Sequence, residues 1–180
     1  MHLSVSLLIT LLLPSCVAHI KGGRNCGTID GTENDIIAVA EAMTNWSGNN
    51  TRTKRRPTVN IQTYWNTITK GDDDEGSISN GKIAESISIL NAAFKPYFTF
   101  TLVESVEENN ASYWGIDKGE DRLMKNALRK GNCAALNIYS TNISSRKIGW
   151  ATYPNSCASN TAYDGVIIDS GTVPGGTLSP

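Results

Sequence analysis

The spacing of the apolar residues changes twice between positions 58 and 103. They alternate with polar residues over 59–66, recur at helical spacing at Ile83, Ile87, Leu90 and Phe94, and alternate again over 98–103. Alternation is typical of a strand, and a spacing of three to four residues is typical of an amphipathic helix. A strand, a helix and a second strand in this order restrict the chain to folds that mix helices with a sheet.

Further elements follow from the same patterns. Ser79 is a suitable N-cap for the first helix, and Pro96 ends it. A basic helix is expected over 121–130, ended by Gly131. Its apolar side is formed by Leu123, Met124, Ala127 and Leu128. Three more strands are expected over 136–139, 149–152 and 166–168, and the polar stretch 107–111 is expected to be a turn.

A short helix is also expected over 33–46. Its apolar positions are Ile36, Val39, Ala40 and Met43, behind the acidic residues Glu33 and Asp35. Together these elements predict an α+β (mixed α/β) domain. We expect a twisted, mostly parallel sheet of about five strands backed by two or three helices.

The first 18 residues have the pattern of a secretory signal peptide. An apolar run over 3–13 is followed by Pro14 and the small-residue pattern Cys16-Val17-Ala18, which suits cleavage before His19. The run is shorter than the roughly 20 residues that span a bilayer. We therefore expect a secreted, extracellular product that does not cross the membrane.

Three regions are predicted along the chain: a signal peptide over 1–18, an N-terminal helix and basic linker over 19–56, and one domain over 57–180. The linker contains Lys54-Arg55-Arg56, which is either a protease cleavage site or, as we favour, a solvated charged loop. The acidic turn over 71–76 lacks the ligand spacing of a calcium loop and is also expected to be solvated. The formal net charge of -1 gives no indication of a nucleic-acid or membrane partner.

Four sequons fit an export route through a glycosylating compartment. Their acceptor residues are Asn45, Asn49, Asn110 and Asn142. Each is followed after one residue by serine or threonine, and none has proline in the middle position. We treat all four as candidate glycosylation sites.

An odd number of cysteines remains once the signal peptide, with Cys16, is removed. These are Cys26, Cys133 and Cys157, and any of three pairings can be drawn. The pair Cys133 and Cys157 is our first expectation, because these residues flank a predicted strand and its following loop. Cys26 would then require a partner outside the given sequence. A catalytic cysteine is disfavoured, since it needs a histidine base and the mature chain offers only His19.

No catalytic constellation can be assembled from the residues present. The only histidines are His2 and His19, both near the N-terminus, and there is no GxSxG nucleophile motif. The sequence therefore predicts no catalytic residue, no cofactor-binding residue and no metal ligand in this chain.

An ordered series of short segments nevertheless resembles the N-terminal half of the pappalysin-like zinc metallopeptidases, especially their secreted fungal-type extracellular members. The segments are Cys26-Gly-Thr28, Thr63-Tyr-Trp65, Ile89-Leu-Asn91, Ala93-Phe94, Met124-Lys125, Ala127-Leu-Arg129, Leu136-Asn-Ile-Tyr139, Gly149-Trp-Ala-Thr-Tyr-Pro154, Asp164-Gly165 and Val173-Pro-Gly-Gly176. Their order and spacing extend over most of the mature chain. No single segment is diagnostic, but the ordered series is specific.

The resemblance implies a zincin-like N-terminal subdomain that lacks the active-site helix. In that family, a helix soon after the Pro-Gly-Gly turn carries HExxHxxGxxH, in which three histidines hold zinc and the glutamate takes a proton from bound water. Neither this motif nor its ligands occur here. Asn66 also departs from the family, where histidine often follows the Tyr-Trp pair. Zinc is thus implied for the family, and no zinc is expected to bind this chain as given.

The first functional expectation is a truncated secreted zinc metalloendopeptidase, inactive by itself, whose family hydrolyses peptide bonds in proteins. The alternative is a secreted, non-catalytic glycoprotein that acts as a peptide- or protein-binding module. The partner expected from the family is a protein or peptide substrate, held in extended form at an edge of the sheet. Weak self-association through an exposed face of the sheet is also expected.

Overall fold

The computed structural model describes residues 25–27, 33, 34, 37, 40, 41, 58–71, 75–152, 157 and 161–178. Within them the strands are β1 (Asn25–Cys26), β2 (Val59–Thr69), β3 (Phe98–Asn109), β4 (Leu136–Thr141), β5 (Lys147–Ala151) and β6 (Val166–Asp169). The helices with complete bounds are α1 (Asn80–Phe94) and α2 (Arg122–Leu128). Short 3₁₀ turns lie at Ala111–Tyr113, Thr161–Tyr163 and Ser170–Thr172.

The strands form one sheet in the order β1-β5-β6-β4-β2-β3. Only the pairing of β5 with β6 is antiparallel, and all other neighbours are parallel. The mixed α/β class and the mostly parallel sheet are confirmed. The two-residue strand β1 is an addition, because two residues are too few for a periodic signal in the sequence.

β3 is longer than its sequence pattern indicates. Leu102 pairs with Thr63 and Glu104 pairs with Tyr64, so Val103 is an extra residue at a bulge. The bulge reverses the alternation of inward and outward side chains, and the ladder continues to Asn109. The expected turn over 107–111 was therefore wrong for its first three residues, which remain in the strand.

An apolar core lies between α1 and one face of the sheet. Its buried residues include Ile83 and Ile87 from α1, Trp65 from β2 and Phe100 from β3. Ser79 caps α1 as predicted, since its side chain accepts a hydrogen bond from the Lys82 backbone N–H at 3.4 Å. This side of the domain follows the helical and alternating patterns of the sequence.

The opposite face of the sheet is covered by α2 and the loops around it. β2 was expected to be half-buried, but Asn66 is 3% exposed and Ile68 is fully buried. The apolar side assigned to α2 was also partly wrong, because Leu123 is 73% exposed while the neighbouring Lys125 is fully buried. The sequence pattern predicts that the charged side chains of this helix face solvent, whereas the Lys125 side chain faces the interior.

Several sequence-based expectations lie outside the described residues. They are the signal peptide over 1–18, its cleavage site, the basic run over 54–56 and residues 72–74 of the acidic turn. In the region expected to form the first helix, residues 33, 34, 37, 40 and 41 have helical backbone. No described helix is long and apolar enough to cross a membrane.

Candidate functional site

A groove opens on the α1 face of the sheet, beside the helix. Its volume is about 520 Å³, and its walls come from α1, the central strands and the segment after β6. The lining side chains include Trp65, Ile87, Leu90, Ile138, Ile168 and Val173. Ile89 also lines the groove and remains 55% exposed. The groove is thus an open apolar surface that no described side chain fills.

The segment after β6 forms one wall of this groove and is held by backbone hydrogen bonds. Gly176 donates to Val173 at 2.8 Å, and Leu178 donates to Gly171 at 2.8 Å. Lys82 of α1 donates from Nζ to the Gly175 carbonyl at 3.2 Å. The Val173-Pro-Gly-Gly176 turn is therefore fixed next to α1, and Val173 and Pro174 line the groove.

The sheet has two outer sides of different character. On one side, the two described residues of β1 pair with Lys147 and Gly149 of β5, and Gly27 donates to the Gly149 carbonyl at 2.7 Å. Lys118 holds the same segment through Nζ, which donates to the Gly27 carbonyl at 2.7 Å. This short contact covers the beginning of β5.

On the other side, β3 is the outermost strand among the described residues. The Asn91 side chain of α1 closes part of this edge. Its Oδ1 accepts from the Phe100 N–H at 2.7 Å, and its Nδ2 donates to the Phe100 carbonyl at 3.0 Å. A peptide strand therefore cannot pair with β3 at Phe100 without displacing Asn91.

A buried ion pair anchors β5 from the α2 face. Lys125 Nζ lies 2.8 Å from Asp121 Oδ2, and both side chains are fully buried. The same carboxylate accepts from Trp150 Nε1 at 3.1 Å and from the Tyr163 hydroxyl at 3.4 Å. Asp121 stands at the N-cap position of α2 but makes no capping hydrogen bond. Its carboxylate instead joins α2, β5 and the loop before β6.

The two ends of the loop between β5 and β6 are held together by side-chain contacts. Thr152 Oγ1 donates to Asp164 Oδ1 at 2.8 Å, and Arg129 Nη2 lies 3.4 Å from Asp164 Oδ2. Lys125 Nζ donates to the Gly165 carbonyl at 3.4 Å. A Cβ at Gly165 would lie 2.8 Å from the ring of Tyr139, so this position requires glycine.

Burial shifts the titration of this cluster. It lowers the pKa of Lys125, and the hydrogen bond and charge of Asp121 oppose this shift. Burial also raises the pKa of the phenols of Tyr163 and Tyr139. At a separate, partly exposed site, the pKa of Asp117 is lowered chiefly by the hydrogen bond that Lys147 Nζ donates to its carboxylate at 2.7 Å.

The structure places the candidate cysteines at two positions. Cys133 and Cys157 form a disulfide with a Cα–Cα distance of 5.7 Å, which is the pairing expected first. Cys26 lies in β1 and is exposed. The disulfide joins the segment before β4 to the loop between β5 and β6, next to Arg129, whose Nη2 lies 3.6 Å from the Cys157 sulfur.

The candidate glycosylation residues fall into two groups. Asn110 follows β3 and Asn142 follows β4, both half-exposed, whereas Asn45 and Asn49 lie outside the described residues. The two described residues lie at separate positions in the fold, and all four remain candidates.

The described residues do not fit a zinc site. Among them no group of three or more histidine, cysteine, aspartate or glutamate side chains could hold a metal ion. The two histidines, His2 and His19, lie outside the described residues. We therefore assign no metal-dependent chemical step to any described residue.

Sequence reasoning missed the anchor at Asp121 and Lys125. The available signal was the opposite charges spaced four residues apart on one helix, which place both side chains on the same face. Such pairs are usually exposed, and the basic character of the predicted helix favoured that interpretation. Only the packing of α2 on β5 shows that the pair is buried.

The sequence is similar to several fungal proteins named extracellular metalloprotease. One from Uncinocarpus reesii is 30% identical over 99% of this chain and 67% of its own length. This chain belongs to the extracellular metalloprotease family. A relative from Colletotrichum graminicola is 31% identical over 97% of this chain and 63% of its own length, and one from Arthroderma gypseum is 34% identical over 98% and 59%. No protein-family model matches the chain.

Solved structures show the same fold at low sequence identity. A promirolysin variant from Tannerella forsythia has a TM-score of 0.53 at 16% identity, covering 79% of this chain and 60% of its own. Mature mirolysin in complex with a cleaved peptide has a TM-score of 0.51 at 17% identity, covering 66% and 55%. The chain thus spans about half to two thirds of the lengths of the relatives it matches.

Proposed function

We propose that this chain forms the sheet-bearing part of a secreted, pappalysin-like zinc metalloendopeptidase, and that residues outside the given sequence complete the enzyme. The observation that carries the proposal is the open apolar groove beside α1, which adjoins the Val173-Pro-Gly-Gly176 turn. Relatives with the metalloprotease name are longer than this chain. In the proposed enzyme, the additional residues cover the groove and bring the zinc ligands.

Burial of the groove would stabilise such an assembly. Each fully buried aliphatic side chain contributes about 1.5–3 kcal/mol relative to exposure. Ile89 of α1, which is 55% exposed, and the partly buried Leu90 are available for this contact. The isolated chain is therefore expected to be less stable than the completed enzyme and inactive by itself.

The substrate in this proposal is a peptide or protein bound in extended form along the β5 side of the sheet. Main-chain hydrogen bonds at a strand edge bind an extended peptide with little dependence on its sequence. The β3 side is less suitable, because Asn91 closes it at Phe100. In the described part of the chain, β1 pairs with β5 at Lys147 and Gly149, so a peptide bound along β5 would have to displace β1.

The anchor at Asp121 supports the same proposal. It holds the Trp150 side chain on the α2 face, and Trp150, near the end of β5, pairs with Ile167 of β6. A strand held in this way keeps its backbone groups in a constant position. Such preorganisation lowers the entropic cost of binding an extended peptide.

The experiment that tests the proposal completes the chain with the part of the Uncinocarpus reesii relative that it does not cover. We expect the fusion to bind zinc and to hydrolyse casein, whereas the chain alone does neither. A folded fusion that binds no zinc or leaves casein intact would contradict the proposal.

A matched pair of variants tests the groove in the same fusion. Ile89→Glu places a charge at the groove, while Ser88→Glu places it at the adjacent exposed position on α1, which does not line the groove. We expect Ile89→Glu to lower zinc content and activity and Ser88→Glu to leave both near those of the parent fusion. Equal loss in both variants would show that the groove is not the contact surface.

A further inference from the structure

The two cysteines of the disulfide lie in different surroundings. Cys133 is exposed, whereas Cys157 is only 3% exposed. A thiol from solvent can therefore approach Cys133, while the protein covers Cys157. Because the rate of thiol–disulfide exchange depends on which sulfur is attacked and which one leaves, this difference gives the bond a preferred direction of opening.

A guanidinium lies beside the covered sulfur. Arg129 Nη2 is 3.6 Å from Cys157 Sγ, and the Arg129 side chain is 4% exposed. A neighbouring arginine stabilises a thiolate, and burial strengthens the attraction because little water screens it. The Asp164 carboxylate competes for the same charge, since its Oδ2 lies 3.4 Å from Arg129 Nη2. Cys157 is thus the better leaving group of the two sulfurs, and Asp164 limits this advantage.

The guanidinium is held by contacts that do not involve the disulfide. Arg129 Nη1 donates to the carbonyls of Lys130 and Gly131 at 3.3 and 2.8 Å. Its Nη2 donates to the Asn132 carbonyl at 3.0 Å. These three carbonyls immediately precede Cys133 in the chain. The same side chain therefore holds the segment of the exposed sulfur and contacts the covered one, and opening the S–S bond breaks none of these hydrogen bonds.

The loop that carries Cys157 is also attached by bonds other than the disulfide. Thr152 Oγ1 donates to Asp164 Oδ1 at 2.8 Å, which joins the two ends of the loop. Thr161 Oγ1 donates to the Cys157 carbonyl at 3.0 Å. The disulfide can therefore open while these contacts remain, so that opening is a local event and does not require the domain to unfold.

We propose that Cys133 is a thiolation site, at which a low-molecular-weight thiol opens the disulfide and Cys157 leaves as a thiolate beside Arg129. The thiolate of the small molecule attacks Cys133 Sγ and forms a new S–S bond there. The bond between Cys133 and Cys157 breaks, and its electron pair remains on Cys157 Sγ. One S–S bond replaces another, so the step needs no reactant besides the small thiol. The inference does not rest on the proposed protease activity.

The parent chain tests the site directly, with glutathione as the probe. Any free thiol in the oxidised full chain is blocked with N-ethylmaleimide, glutathione is added briefly, and the newly released thiol is trapped with isotope-labelled N-ethylmaleimide. Peptide mapping by mass spectrometry then locates both groups. We expect glutathione on Cys133 and the label on Cys157, at least about tenfold more often than the reverse. Equal amounts of the two arrangements, or a disulfide that opens only in denaturant, would overturn the proposal.

Variants with opposite expected effects test the role of the guanidinium. Arg129→Gln removes the positive charge and should slow opening by glutathione about fivefold or more, whereas Arg129→Lys keeps a charge and should slow it less. Asp164→Asn removes the competing carboxylate and should accelerate opening.

The direction of the change separates charge from structure. A variant that merely loosens this region exposes the disulfide and accelerates its opening, so slower opening in Arg129→Gln is not a structural effect. Thermal unfolding of each oxidised variant shows whether it folds. Opening of folded Arg129→Gln at the parent rate or faster would overturn the role of Arg129. If that variant does not fold, Asp164→Asn decides, and opening no faster than in the parent would overturn it.

Discussion

The two faces of the sheet are covered by different kinds of contact. Trp65 and Asn66 are adjacent in β2 and point to opposite faces, and both are nearly inaccessible. On the Trp65 side, the helix α1 contributes isoleucine and leucine side chains. On the Asn66 side, α2 contributes an ion pair together with Met124. One face is covered by apolar side chains, and the other combines an apolar cluster with a buried, compensated charge.

The difference teaches that burial alone does not identify what stabilises a surface. Removing a buried methyl group leaves a cavity, whereas removing one member of a buried ion pair leaves an uncompensated charge. Substitutions on the two faces should therefore differ in how much they lower the free energy of unfolding. They should also differ in whether a second substitution can restore it.

The largest effect is expected for Lys125→Met on the α2 face. The fully buried Asp121 carboxylate would lose its counter-charge, and the free energy of unfolding should fall by about 3–5 kcal/mol. Chemical denaturation monitored by tryptophan fluorescence measures this change.

A second substitution separates charge from packing at the same place. Adding Asp121→Asn removes the unpaired charge and keeps an oxygen that accepts from Trp150 Nε1. The double variant should therefore recover most of the lost stability. If it is as unstable as Lys125→Met, packing rather than charge governs this face.

The next effect is expected for Ile83→Ala on the α1 face. Ile83 is 1% exposed, and its truncation should cost about 3 kcal/mol because a cavity remains in the apolar core. Thermal and denaturant unfolding measure it, and no charge substitution nearby should repair it. Ile89→Ala, on the same helix but 55% exposed, is the control and should cost under about 1 kcal/mol. Equal losses would remove the distinction between core and groove on this face.

A smaller effect is expected for Asn91→Ala, at the border of the apolar face. The Phe100 N–H and carbonyl would both lose their partner, which should cost about 1–2 kcal/mol. The variant should also self-associate more readily through β3, as light scattering would show. Ser88→Ala, at an exposed position on the same helix, is the control. An unchanged unfolding free energy and unchanged scattering would show that Asn91 does not close the edge.

The smallest effect is expected for the partly exposed pair Asp117 and Lys147. Because the folded pKa of Asp117 is lowered, its contribution is present above its unfolded pKa of about 3.9 and is lost as the pH falls through the folded value. Asp117→Asn should flatten the loss of stability below about pH 4 and change little at neutral pH. Unfolding curves across this range measure it, with Glu85→Gln as the control. A pH profile identical to that of the parent would show that this pair adds nothing.

The sequence predicted the α1 face more completely than the α2 face for a physical reason. Period-two and helical spacing report only where apolar side chains recur, and α1 with β2 and β3 buries such side chains. From the same pattern, Leu123 was expected to be buried and Lys125 exposed. Residue spacing cannot show that a lysine has a buried partner. The bulge at Val103 was likewise invisible, since it depends on the register between two strands.

The candidate site could be predicted only in part. The Val173-Pro-Gly-Gly176 turn was visible as a motif, and the pairing of Cys133 with Cys157 was the first of three alternatives. The groove could not be predicted from the sequence. Its walls come from one helix, three strands and the segment after β6, which are distant from one another in the chain. Asp121 was expected at the start of a helix, but its role as an acceptor for Trp150 depends on how α2 packs against β5.

By itself, the sequence determined the mixed α/β class, the positions of α1 and the central strands, and the family that its ordered segments resemble. These follow from local spacing, capping and short motifs, which are properties of neighbouring residues. Only the tertiary structure decided the strand order, the short β1, the buried ion pair and the open groove. Each of these requires residues far apart in the chain to meet, and their energies depend on the partner that packing provides.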